Sequence, residues 1–390
     1  MGNGAAADWA ASGVVPLTGH PDGPPQVPPG RAASTAAELG SLFGIDGAAL
    51  LAERAAFTGH RRAGRVSVGG SCRLLPIADG WAAVSCARPD DPALLGAVVE
   101  HPLPDDDPWP LLAAALAGMP ARDLADRAEL LGVAAAPVRS GCSAPLSLGV
   151  PRPVTGLLVV SFAALWAGPL CAHLLARAGA RVVTVETPTR PDGARRGEPR
   201  FHALLHSGER SVVLDPSEPG DRRALASLVE AADVVIEASR PRALRGFGLD
   251  AEAAVAHGAT WISITAAGRA SNRIGFGDDV AASAGLVARD AAGLPVFVGD
   301  AIADPLTGLT AAALALTAPG ELHDVAMTEV VARTLDGSPG GCARREGSDW
   351  MVATPSGPVP VAPPRARPVP GPAPDSGTDT ATVLAELGIR

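Results

Sequence analysis

From Thr155 onward the chain alternates short, unbroken apolar runs with amphipathic stretches: LLVVSF, a helical CAHLLARAG, RVVTVE, SVVLD, a helical PGDRRALASLVEAA, DVVIEA and WISITAAG. Runs rich in β-branched residues without polar alternation are strands buried on both faces. Helical crossovers between them make neighbouring strands parallel. The pattern predicts an α/β fold over residues 154–335, with a doubly wound, mostly parallel, Rossmann-like sheet. Residues 57–139 have another texture. RVSVGGSCRLLPIADGWAAVSCA reads as a β-hairpin turning at Asp79-Gly80 with Trp81 beside it, followed by helices in WPLLAAALAG and RDLADRAELLG before VAAAPV. This is a second, smaller α+β domain. Residues 140–153 read as a linker, and residues 336–390 as a stiff Pro-rich segment (Pro358 to Pro374) with a terminal helix.

Near the end of the α/β unit, VFVGDAIADPLTGLTAAALALTA runs from a glycine-bounded strand into a long apolar helix. Asp304-Pro305 at this corner reads as a helix start, with Asp at the N-cap and Pro at the first helical position. A helix N-terminus favours the anionic form, so an ionised carboxylate is expected there. Residues 1–56 carry a partial echo of this region: WAASGVVPLTGHPDGPPQVPPGRAASTAAELGSLFG parallels VAASAGLVARDAAGLPVFVGDAIADPLTGLTAAALAL. With Gly13 aligned on Gly285, the counterpart of Asp304 falls near Ala32 or Ala33. The first copy lacks the carboxylate.

A net charge of -9 argues against a nucleic-acid surface, which needs a basic face. An anionic small ligand would need local arginines, and Arg190, Arg195, Arg196, Arg200 and Arg210 supply such a cluster. The first strand is not followed by G-x-G-x-x-G, and Glu186 at the end of the second strand is alone too little to indicate a dinucleotide, so NAD is not expected. Five widely spaced cysteines without a C-x-x-C pair indicate neither a disulfide framework nor a zinc site, and no metal is expected. The N-terminus lacks a basic region followed by an apolar core, and LLVVSFAALWAGPLCA is shorter than the ~20 residues of a membrane helix. A cytoplasmic protein with reduced thiols and no membrane partner is the expectation.

The ordered series GLLVVSFAALWAGPLCAHLLARAGARVVTVETP, HSGERSVVLD, ADVVIEASRPRALRGFGLD, WISITAAG, GDDVAASAGLV and GDAIADPLTG resembles the class III CoA-transferase family, which includes formyl-CoA and carnitine-CoA transferases and α-methylacyl-CoA racemases. HDVAMTEVVA, GPVPVAPP and GTDTATVLAELG extend the likeness, and IADGWAAVSCARPDD and LLGVAAAPV resemble that family's small domain. The family places the small domain after the α/β domain. Here it precedes it, a permuted or partially duplicated order.

The resemblance implies an acyl-CoA:carboxylate CoA-transferase. Asp304 would be the catalytic nucleophile, passing through an aspartyl anhydride and an aspartyl-CoA thioester. Coenzyme A and acyl-CoA would be substrates rather than permanently bound cofactors, a small carboxylic acid the acceptor, and the assembly a homodimer, possibly interlocked. The family's Asn-Phe-Arg-Pro-Gly turn stands here as Ala238-Ser239-Arg240-Pro241-Arg242. Arginine forks suit phosphates, so Arg190, Arg210, Arg240 and Arg245 are the candidate CoA-binding residues. Two other readings stay open: an acyl-CoA isomerase or racemase, although RIGFGDDVAASAG lacks that branch's histidine, and a non-catalytic CoA-ester binding or partner subunit. Asp278 and Asp279 read as a helix start without an assigned role.

Overall fold

The computed structural model describes residues 4–139, 141–239 and 241–389. Helices α1 (Gly4–Ser12), α2 (Ala32–Ser41) and α3 (Glu53–Thr58) form the N-terminal segment. The small domain follows with strands β1 (Cys72–Ile77) and β2 (Gly80–Ser85), helices α4 (Asp91–Val98), α5 (Trp109–Leu116) and α6 (Ala121–Leu131), and strand β3 (Ala135–Pro137). β1 and β2 pair antiparallel out to Ile77 and Gly80. The hairpin loop is therefore Ala78-Asp79, one residue earlier than Asp79-Gly80: Gly80 takes a positive φ of 156° and opens the returning strand. β3 adds antiparallel to β2.

The α/β unit contains β4 (Leu158–Ser161), α7 (Ala167–Arg177), β5 (Arg181–Glu186), α8 (Pro199–His206), β6 (Arg210–Val213), α9 (Pro219–Ala231), β7 (Val234–Glu237), α10 (Ala251–Ala256) and β8 (Thr260–Thr265). It continues through α11 (Gly277–Ser283), α12 (Ala303–Thr317), β9 (Leu322–Ala326) and α13 (Met327–Ala332), and α14 (Thr380–Glu386) lies near the chain end. The six strands lie side by side as β9-β8-β7-β4-β5-β6, every pair parallel. Numbered within the unit this is 3-2-1-4-5-6, a doubly wound order whose direction reverses between β4 and β7. Ligands of such sheets bind outside the carboxyl ends of the strands at that reversal.

Two-sided burial follows the side-chain period of two. Val159, Val182, Val234, Ile236, Ile262 and Ile264 face one core with α7, α12 and the N-terminal helices. Leu158, Val160, Val183, Val185, Val235 and Trp261 face the other, closed by α9 and Val383 of α14. The small domain has its own core around Leu95, Leu112, Leu116 and Leu124, and Cys72, Leu74 and Ala83 pack it onto Ala282, Val287 and Phe297 of the α/β unit. The Pro-rich run is a strap: Arg367 binds Glu53 with its backbone N–H at 3.0 Å and its guanidinium at 2.7 and 2.8 Å. Among the described residues, no helix is long and apolar enough to cross a membrane.

Candidate active site

The corner at Asp304 forms earlier than its sequence implies. Ala301 takes a left-handed φ of 45°, unusual for a residue with a Cβ, and its carbonyl accepts the Asp304 N–H at 2.9 Å. The helix therefore starts at Ala303, with Ile302 at the cap position and no side-chain cap bond. The expected N-cap role of Asp304 is corrected: it is the second helical residue. Pro305 is third, where its missing N–H is still harmless. Gly308, one turn on, lets α12 rest on Ala167 and Leu170, because a Cβ there would lie 2.7 Å from the Ala167 carbonyl. That contact sets the start of α12 beside the start of α7, at the carboxyl end of β4.

Four carboxylates converge here. The Asp304 carboxylate lies against Gly277, where an added Cβ would meet Asp304 Oδ2 at 2.2 Å. Asp278 accepts the Ala301 N–H at 2.8 Å. Asp279 accepts from the Ser85 hydroxyl and the Phe276 N–H, both at 2.8 Å. Asp300, fully buried, is held in a fork by Arg54, with His60 Nδ1 at 3.4 Å. Arg54 in turn lies 4.9 Å over the Trp166 ring. Asp304 keeps more solvent contact than the other three, and among the described residues no donor is paired with its carboxylate.

The electrostatics correct a second expectation. Burial pushes the Asp304 carboxyl up to about 7; Arg54 opposes this, and Asp278, Asp279 and Asp300 reinforce it. A helix terminus was expected to keep the group acidic, but loss of water and three neighbouring acids outweigh the dipole. Burial likewise lifts Asp278 to about 6 and Asp279 to about 7. Burial also penalises charge at Asp300, yet the Arg54 and His60 partners hold it below the usual carboxylate range. The two adjacent acids do open a helix, α11, but as buried members of the pit rather than a solvated first turn.

Of the four candidate arginines, the three that lie among the described residues are not gathered. Arg190 is exposed just beyond the carboxyl end of β5, and Arg245 is exposed after β7, 3.8 Å from Glu252. Arg210 opens β6 at the amino edge of the sheet and forks onto Glu386 at 2.5 and 3.2 Å. Arg240 lies outside the described residues. Arg195 is committed to Glu186, which also accepts the Asp192 N–H and the Ser376 hydroxyl. Arg54 and His60 were missed in the sequence: they precede Asp300 by some 240 residues, and no local pattern marks them.

Residues 154–339, just under half of the chain, match the profile of CoA-transferase family III. A succinyl-CoA:D-citramalate CoA-transferase of Chloroflexus aurantiacus is 29% identical over 210 residues, covering 48% of this chain and 52% of that one. The beta subunit of a succinyl-CoA:L-malate CoA-transferase from the same organism is 33% identical over 207 residues, 47% of this chain and 51% of its own. A solved CAIB/BAIF family protein from Brucella suis is 25% identical with a TM-score of 0.45, covering 54% of this chain and 65% of its own. The chain spans about half the length of the curated relatives it matches, and it is its α/β unit, residues 154–339, that is similar to CoA-transferase family III.

Proposed function

We propose that the chain transfers coenzyme A from an acyl-CoA to a small carboxylic acid, with Asp304 as the nucleophile. The observation that carries this reading is an unpaired, partly solvated carboxylate at the carboxyl end of β4, lifted to about 7 inside a family III domain. A carboxylate of raised basicity is a better nucleophile than one in water and remains substantially ionised at neutral pH. One Asp304 oxygen attacks the thioester carbonyl, the C–S bond breaks, and CoA thiolate leaves behind an acyl-aspartyl anhydride. The thiolate then attacks the aspartyl carbonyl, releasing the first acid and leaving an aspartyl-CoA thioester. The acceptor carboxylate repeats the two steps in reverse, regenerating Asp304. Every step is acyl substitution and balances with no further reactant. Holding the long CoA tail supplies the positioning that lets a weak nucleophile react.

Arg190 and Arg245, on the carboxyl side of the sheet, remain candidates for the CoA phosphates together with Arg240; Arg210, paired at the opposite edge, is the weakest of the four. The assembly proposed is a homodimer, checked by light scattering. The test of the chemistry is to incubate the protein with acyl-CoA and map hydroxylamine-sensitive adducts by mass spectrometry. An adduct on the Asp304 peptide is expected, and turnover without one removes the nucleophile role. The near-neutral acids favour one other reading, α-proton exchange on an acyl-CoA with Asp304 as base. Solvent-deuterium incorporation without need of an acceptor acid would identify it, and CoA-ester binding without turnover would identify a non-catalytic subunit.

A further inference from the structure

A second buried polar cluster lies beside the acid pit, and the chemistry above does not use it. His202 and His206 stand one turn apart on α8, so their rings share a face, with centroids 4.4 Å apart. Asp192, from the segment after β5, faces them: its Oδ2 lies 3.7 Å from His206 Nε2. The ligating atoms of the three residues all fall within 4.8 Å of one another. All three residues are more than nine-tenths buried, yet Asp192 Oδ2, His202 Nε2 and His206 Nε2 have no hydrogen-bond partner among the described residues. Three buried acceptors turned toward a common point with nothing between them are costly unless something binds there.

The surroundings are those of a supported ligand set. His206 Nδ1 meets Glu209 Oε2 at 2.8 Å, and that oxygen also accepts the Thr184 hydroxyl at 2.7 Å. A carboxylate on Nδ1 fixes the tautomer and leaves the Nε2 lone pair free for an ion. The other Asp192 oxygen is held by the N–H groups of Leu165 and Ala194 at 3.0 and 2.8 Å, which aims Oδ2 at the imidazoles.

The geometry points to a binding site for one divalent transition-metal ion of the zinc type, held by Asp192 Oδ2, His202 Nε2 and His206 Nε2. Two imidazoles and one carboxylate suit Zn2+ and its neighbours and disfavour Mg2+ and Ca2+. Ligand bonds of about 2.0–2.1 Å place tetrahedral donors roughly 3.3–3.5 Å apart, so the 3.7 Å Asp192–His206 spacing needs only a small contraction, while the other pairs, within 4.8 Å, draw in by up to the order of 1 Å as the ion binds. The ion would tie the segment after β5 and helix α8 to the turn before α7. Leu165, in that turn, takes a left-handed φ of 72° while its N–H is held by Asp192. The next residue, Trp166, packs edge-on to Phe201 and under Arg54, the partner of Asp300. The site would therefore brace one wall of the acid pit without touching Asp304. Its sequence signal is His202-x3-His206 followed by Glu209, legible as one helix face, while Asp192 joins only through the fold.

The test uses untagged full-length protein stripped with chelator. Co2+ as a spectroscopic probe should bind at one equivalent with a visible d–d band that Zn2+ abolishes. Zn2+ at a hundredfold excess over its Kd should raise the melting temperature by roughly 3 °C. Asp192→Asn, His202→Gln and His206→Gln should each weaken binding at least tenfold, and Glu209→Gln by roughly tenfold or more. His257→Gln, an exposed histidine elsewhere, should change nothing. Absence of both the Co2+ band and the Zn2+ shift in the wild-type protein overturns the proposal, whatever the variants do. So does binding that survives all three ligand substitutions, or an equal shift with Mg2+.

Discussion

The starts of α2 and α12 share a backbone and differ in what they hold. In both, a left-handed residue stands two positions before the helix: Gly30 with φ 72° before Ala32, and Ala301 with φ 45° before Ala303. In both, an earlier helix ends at a left-handed glycine, Gly13 after α1 and, two residues beyond α11, Gly285. The second helical residue is Ala33 in one corner and Asp304 in the other. Ala33 is fully buried in the core that α2 shares with α12. Asp304 sits over Gly277 among three further acids, with Arg54 supplied by the N-terminal segment. The corner is thus a generic way to start a helix, and chemistry at it depends on the neighbours that surround its second residue.

The largest expected effect separates the corners outright. Asp304→Asn removes the proposed nucleophile, and CoA transfer should fall by roughly a thousandfold or more in a steady-state assay while the fold persists. The same variant should be more stable than wild type at pH 8, by about 1–2 kcal/mol in urea unfolding, because a carboxyl that resists ionisation is replaced by a neutral amide. A less stable Asp304→Asn protein would mean that the carboxylate is a structural cap. The reciprocal change, Ala33→Asp, should not create a second site. It places an unpaired charge in an apolar core, and a loss of roughly 3–5 kcal/mol, with no gain of transfer, is expected from unfolding curves.

Gly277→Ala probes the neighbour that makes room for the carboxylate. Its methyl would occupy the space of Asp304 Oδ2, and kcat should drop by about 10–100-fold with a smaller change in stability. Unchanged turnover would show that the carboxylate works from another position.

The pH dependence follows from the direction of the shifts. Asp278, Asp279 and Asp304 bind protons more tightly folded, at about 6, 7 and 7, than their ordinary 3.8. Their stabilising contribution is complete below about pH 4 and is lost as pH rises through about 7. Asp300, held low by Arg54, contributes in the opposite sense, losing its stabilisation as pH falls through its depressed folded pKa. The proposed transfer requires ionised Asp304, so its rate should rise with pH around a midpoint near 7. Melting curves and rates across pH 5–9 check both, and a flat rate profile would detach the titrating group from the reaction. The smallest effect is backbone relief at Ala301→Gly, stabilising by up to ~1 kcal/mol if the left-handed turn is strained as its mate Gly30 is not.

Much of the scaffold was legible along the chain because it rests on local pattern. The β-branched runs from Leu157 to Ala266 became five of the six parallel strands; β9, whose exposed Asp324 and half-buried edge residues interrupt the apolar run, gave no comparable signal. The small domain's hairpin and helices also formed where periodicity placed them, with the turn displaced by one residue. Asp304 was singled out by the corner it shares with Pro305 and by the motif series around it, but its protonation was misjudged. Helix dipoles are local, whereas desolvation is set by what packs above the site.

The chain by itself determined the doubly wound sheet and the antiparallel hairpin of the smaller unit, and it marked one carboxylate at one corner as the candidate, since hydrophobic period, turn chemistry and ordered motifs are written in consecutive residues. Only tertiary structure decided that this carboxylate lies among Asp278, Asp279 and Asp300, that Arg54 and His60 cross to Asp300, that Arg210 is committed to Glu386, and that Asp192 meets His202 and His206. Each of those depends on distance and burial between segments far apart in sequence, and electrostatic energies follow spatial distance and dielectric rather than position along the chain.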